Sequence, residues 1–177
     1  IRIIRLAMLG DEKPLPKLEV GAIVQYEGFS VVATGKRSQH QGARGVELIM
    51  NQDQWRNLWR TIGGGSLQPP EINFNTQAVI VAYQGQAPTS AGVAIESIRL
   101  ESIVHGGQSI IVKTREQSAS PADKSAEPSS PFVAVSFQRP PEGTSISLDN
   151  DEDVIKAEQN RYEKRRVLRV RRRGRRR

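Results

Sequence analysis

The sequence predicts a mainly β domain, an antiparallel sandwich or half-barrel of about seven strands with one helix, 51–62, packed over its open face. Three observations carry this. The stretch 78–83, Ala-Val-Ile-Val-Ala-Tyr, is a near-continuous apolar run, so it reads as a well-buried strand. Shorter segments alternate or cluster apolar residues between Gly, Pro and Ser punctuation, as in Val46, Leu48, Met50 and again in Phe132, Val133, Val135, Phe137. Only one window keeps a helical period.

Taken in order, 1–9 reads as a short strand or a loose terminus, and Pro14 and Pro16 mark a linker. Ile23, Tyr26, Phe29, Val31 and Val32 surround Gly28, which suggests two short strands or one strand with a bulge. A polar loop over 34–45 precedes the Val46-Leu48-Met50 strand. In 51–62, Asn51 is placed to cap a helix, Asp53 lies in its first turn, and Trp55, Leu58, Trp59 and Ile62 share one face. Gly63, Gly64 and Gly65 end it. The two tryptophans fit core packing at this spacing, with a carbohydrate or base-stacking platform as the other reading.

The chain then turns through Pro69 and Pro70 into 73–103, read as the buried strand 78–83 and its partner, Val93 to Ile103, joined by the segment 85–92. Gly106-Gly107 suits a hairpin turn into a strand at 109–115. The stretch 117–130 has loop composition, 131–137 is the last strand, and 138–144 turns through Pro140, Pro141 and Gly143. Beyond Asp149 the composition shifts from acidic to basic, which suits a helix over about 151–166 running into an arginine tail. The expected organisation is an N-terminal extension at 1–21, a β-rich domain at 22–148 and the acidic-to-basic extension at 149–177.

Charge is unevenly placed. The segment 154–177 holds 12 Lys or Arg against two Glu, a local net of +10, so of the chain's +7 the remaining residues contribute −3. With no cysteine among 177 residues, a disulfide framework and thiol chemistry are excluded, while the cell compartment stays open. No apolar run approaches the roughly 20 residues of a membrane-crossing helix. The chain opens on Ile1 rather than Met, so a processed or incomplete form is expected.

No catalytic set survives a test of spacing. His40 and His105 sit in polar, turn-like surroundings and read as solvated loop residues. The glycines of 63–65 and 85–92 lack phosphate-loop spacing, and Gly65-Ser66-Leu67 is not a nucleophile elbow. Asp149, Asp151 and Asp153 alternate like the start of a calcium loop, but Val154 and Asn160 stand where its glycine and glutamate belong. Neither enzyme activity, metal nor cofactor is expected. Arg165, Arg166, Arg169, Arg171, Arg172, Arg173, Arg175, Arg176 and Arg177 form a polyanion-binding candidate for RNA, DNA or an anionic membrane, because clustered guanidinium groups release counterions and grip phosphates. The alternative is a solvated end.

From Trp55 to Phe137 the order of features resembles the PrcB C-terminal domain family, named for an accessory subunit of a bacterial surface protease complex. The resemblance rests on the helix with Trp55 and Trp59, then Pro70-Glu71-Ile72-Asn73-Phe74, the strand 79–83, Gly85, Pro88-Thr89-Ser90-Ala91-Gly92, and Ser130-Pro131-Phe132-Val133. It covers about 26–148 and departs from the family pattern at Asn73, Ala91 and Val93. It implies a non-catalytic, extracytoplasmic module of the bacterial cell envelope that contacts a larger protein assembly, such as a protease or surface complex. If the tail binds nucleic acid instead, a cytoplasmic address follows. The turn at 89–92 and Arg139-Pro140 are also similar to the binding loops of chagasin-like cysteine-protease inhibitors. Together these similarities imply a protein-binding surface at Gln86, Pro88, Thr89, Ser90, Gly92 and Arg139.

Overall fold

The computed structural model describes residues 2–6, 15, 17–36, 38–40, 42–62, 68–88, 92–102, 107–117 and 128–149, with the backbone alone at 2–6, 87–88 and 128–129. Among these residues eleven strands and one helix follow in chain order: β1 (Arg2–Leu6), β2 (Ala22–Tyr26), β3 (Ser30–Gly35), β4 (Gly45–Ile49), α1 (Gln52–Thr61), β5 (Gln77–Tyr83), β6 (Ala87–Pro88), β7 (Gly92–Ser102), β8 (Gln108–Gln117), β9 (Pro128–Ser129), β10 (Phe132–Gln138) and β11 (Ser145–Leu148). One sheet has the order β1-β2-β7-β8-β11, the other β3-β10-β5-β4, and β6 pairs with β9 in a separate ribbon. The pairs β1–β2 and β8–β11 are parallel, and the remaining ladders are antiparallel. The chain is a mainly β sandwich, as its patterning predicts, with more strands than the sequence displays.

The two sheets close on one apolar layer. Val24 and Tyr26 of β2, Ile98 and Leu100 of β7, and Ile110 and Val112 of β8 meet Ala78, Ile80 and Ala82 of β5 and Val133, Val135 and Phe137 of β10. Tyr26 and Phe137 meet edge to face, with ring centroids 5.0 Å apart. The alternate residues of β5 and β10, among them Val79, Val81, Tyr83 and Ala134, face outward and are covered by α1 through Trp55, Leu58 and Ile62. That second covering explains the uninterrupted run at 78–83. A strand with apolar matter on both faces has no use for alternation.

The helix stands where its period places it. The Asn51 side chain accepts from Gln54 N at 2.9 Å, while Gln54 Oε1 accepts from Met50 N at 2.9 Å, so each end of the first turn satisfies the other's free amide. Trp55 is fully buried and donates its indole N–H to Pro70 O at 2.9 Å, which ties the helix to the chain leading into β5.

Two features correct the expectations. Strands β5 and β7 are not partners: β5 pairs with β4 and β10, whereas β7 pairs with β2 and β8, so 85–92 carries the chain from one sheet to the other. Strand β11 lies in a stretch without a strong apolar signal. Its neighbour β8 supplies the ladder, and Asp149 directly after it accepts from Arg99 at 2.6 Å. Arg99 is thereby held above its ordinary pKa, first by the Asp149 hydrogen bond and then, against the opposing effect of burial, by Glu101. Of the loop expected at 117–130, Gln117 instead ends β8 and Pro128–Ser129 form β9, because each finds a strand to pair with, while 118–127 lies outside the described residues, as does the helix expected over about 151–166. Among the described residues, no helix is long and apolar enough to cross a membrane.

Candidate protein-binding cleft

Strand β3 is an edge strand. On one side it pairs with β10 from Phe132↔Gly35 to Ser136↔Ser30, with a bulge at Val32, and among the described residues no strand covers its other side. Strand β2 stops at Tyr26, opposite Ile98, so the stretch of β7 running back toward Gly92 has β8 on one side and, among the described residues, no strand on the other. Between these edges lies a cleft of about 550 Å³. Phe29 and Val31 line one wall, Gly92, Val93 and Ile95 the other, and Phe132, Val133 and Val135 the floor.

The cleft is mainly apolar, with Thr34, Lys36 and Gln117 as its polar residues, and has strand backbone along both walls. From Phe29 to Gly35 no residue is charged, and Val31 is 61% exposed although large and aliphatic. Edge strands are usually guarded by Lys, Pro or a covering loop, because their free N–H and C=O groups template further pairing. Here the bulge and Lys36, just past the strand end, are the guards among the described residues. Such a site offers hydrogen bonds from backbone and pockets for alternate side chains.

The far side of the sandwich is tied down instead. Arg44, in the turn before β4, donates from Nη2 to Thr114 O at 3.2 Å and to the Thr114 hydroxyl, and its Nη1 lies 3.1 Å from Glu116 Oε1. Beside that turn Gly85 is buried with φ +85°. His40, expected as a solvated loop residue, is half-buried and stacks on Tyr83 with ring centroids 4.1 Å apart. Its Nε2 lies 3.2 Å from Ala43 O. Burial, and then the Glu47 carboxylate, push the Tyr83 phenol well above its ordinary pKa, so it stays neutral throughout the working range. His105 lies outside the described residues.

The residues expected to bind protein do not form one surface. Gln86 is exposed at the start of the crossing segment, Pro88 sits in the β6–β9 ribbon opposite Pro128, and Gly92 lines the cleft. Thr89 and Ser90 lie outside the described residues, as do all nine arginines of the tail. Arg139 belongs to the opposite end of the sandwich, since β10 runs from Phe132 beside Tyr83 to Gln138 beside Gln77, about 20 Å at strand rise. Its guanidinium points inward, donating to Met50 O at 2.6 Å and Phe74 O at 2.5 Å, and it pairs with Glu142. Arg139 therefore fastens the end of β4 to the turn before β5, and sequence proximity to a proline turn gave no sign of that role. Phe29 and Val31 are the residues that sequence reading missed. The one available signal was a strand without a charged residue.

Among the described residues, no three His, Asp or Glu side chains converge as a metal site. No family model matches the chain, and neither a curated protein nor a solved structure matches it.

Proposed function

We propose that this protein is a non-catalytic accessory module that contacts a larger protein assembly by taking an extended segment of it as an added strand on β3. The observation that carries this reading is the open, uncharged edge of β3 above the apolar cleft. A strand laid there gains main-chain hydrogen bonds and drops every second side chain toward Phe132, Val133 and Ile95. The incoming segment is rich in Val, Ile or small residues, since most of the cleft's lining is apolar and Lys36 is the one charged residue along it. The resemblance of 26–148 to PrcB C-terminal domains favours the same kind of role, in the bacterial cell envelope.

Val31→Glu is the test. Val31 is exposed, so the substitution is expected to change stability by about 0.5 kcal/mol or less. Capture of the partner from envelope fractions should fall about tenfold, because a carboxylate on the edge opposes strand pairing. With the captured partner added back, amide exchange should slow across Ser30–Gly35. Unchanged capture by Val31→Glu, or protection confined to other strands, rejects the reading.

A second reading rests on the nine arginines of 165–177. Each phosphate neutralised adds about 0.7–0.9 to the slope of log affinity against log salt. Deleting 165–177 should therefore weaken binding to single-stranded RNA or duplex DNA and flatten that slope by several units. Equal affinity and equal slope with and without the segment remove the tail from any binding role.

A further inference from the structure

A separate recess lies over α1. Gln52, Arg56, Trp59 and Arg60 follow one another along one helix face, and Gln68, Pro69 and Glu71 of the returning chain complete a recess of about 590 Å³. This is within the range of about 300–1,000 Å³ typical of small-molecule sites. The two tryptophans divide their roles. Trp55 is fully buried, whereas Trp59 is half-buried and reaches the recess, its ring centroid 5.4 Å from that of Trp55. Trp55 thus backs Trp59 and fixes the plane it presents.

The lining specifies a ligand. An indole face takes a flat ring or the C–H face of a sugar ring. Two guanidinium groups one turn apart take a carboxylate, and Arg56 keeps donors for it because its pair with exposed Asp53 is long, at 3.6 Å. Gln52, Gln68 and Glu71 supply amide and carboxylate groups that bond hydroxyls. A bare phosphate uses only the arginines, and a neutral sugar makes no use of their charge. A nucleotide stacks and pairs, but Glu71 opposes a second phosphate charge. We propose that this recess binds an acidic saccharide, with a uronate ring stacked on Trp59 and its carboxylate on Arg56 and Arg60. This site is independent of the β3 edge.

The full chain, titrated with a galacturonate trimer at about 0.15 M salt, tests it, because Trp55 and Trp59 are the only tryptophans and report through their emission. A saturable change in emission is expected. Trp59→Ala and Arg60→Ala should each weaken binding about tenfold or more by calorimetry, with Trp59→Phe intermediate. Arg60 is exposed, so that variant keeps the fold even if Trp59→Ala does not. A neutral glucose trimer, inorganic phosphate and adenosine monophosphate should each bind about tenfold more weakly. Absence of saturable binding overturns the proposal, as does adenosine monophosphate binding as tightly as the uronate. Binding that persists unchanged in both Trp59→Ala and Arg60→Ala assigns the saccharide to the arginine tail and also overturns it.

Discussion

Replacing Trp55 by alanine is expected to remove about 3–5 kcal/mol of folding stability, a large part of the roughly 5–15 kcal/mol that a domain commonly has. Trp55 is fully buried between α1 and the outward face of β5 and β10, and its ring packs beside Trp59. Truncation leaves a cavity that the rigid strands beneath cannot collapse into, and it also frees Pro70 O from the indole N–H. Urea unfolding measures the loss, and the midpoint of thermal unfolding should fall by about 10 °C. Trp55→Phe separates the contributions: it keeps most of the packing and should lose about 1–2 kcal/mol, including one hydrogen bond. A loss below about 1 kcal/mol in Trp55→Ala would mean that α1 does not cover this sheet.

Gly85→Ala is expected to cost about 2–4 kcal/mol through two additive effects, backbone strain and overlap. Gly85 has φ +85°, in the left-handed region that a Cβ disfavours. An added Cβ would stand 2.9 Å from Arg44 N and 3.2 Å from Ala43 C, both backbone atoms. That turn cannot retreat without breaking the contacts of Arg44 with Thr114 and Glu116. Gly21→Ala is the internal control. Its φ is +81° but nothing lies within 4 Å of an added Cβ, so only the conformational cost of about 1 kcal/mol applies. Equal losses at the two positions, read from urea midpoints, would show that the contact between 85 and the 42–44 turn carries no energy.

Both positions were visible in the sequence as residue types, though their weights were not. A tryptophan at helical spacing announces burial, and a glycine after an apolar run announces a turn. That Gly85 abuts Arg44 depends on the turn before β4 lying beside the exit from β5, a consequence of the β4–β5 ladder. Arg139 makes the same point. Next to two prolines it read as a surface contact, yet the pairing of β10 with β5 brings it under Met50 and Phe74, where unpaired carbonyls await a donor.

The sequence by itself determined what short-range physics controls. The helix at Gln52–Thr61 followed from its period and its asparagine cap, and β5 followed from an apolar run bounded by polar residues. The absence of phosphate-loop and nucleophile-elbow spacing was likewise visible, since such motifs are local. Tertiary structure decided which sheet each strand joined. Strands β5 and β7 are close in the chain but lie in different sheets, because a strand pairs with whichever neighbour completes its ladder and buries its face. It also decided that four residues, Ser-Ile-Ser-Leu, form β11 once β8 offers them an edge. The cleft belongs to this second class. Its walls come from β3, the edge of one sheet, and from the start of β7, which the early end of β2 leaves without a strand on that side among the described residues.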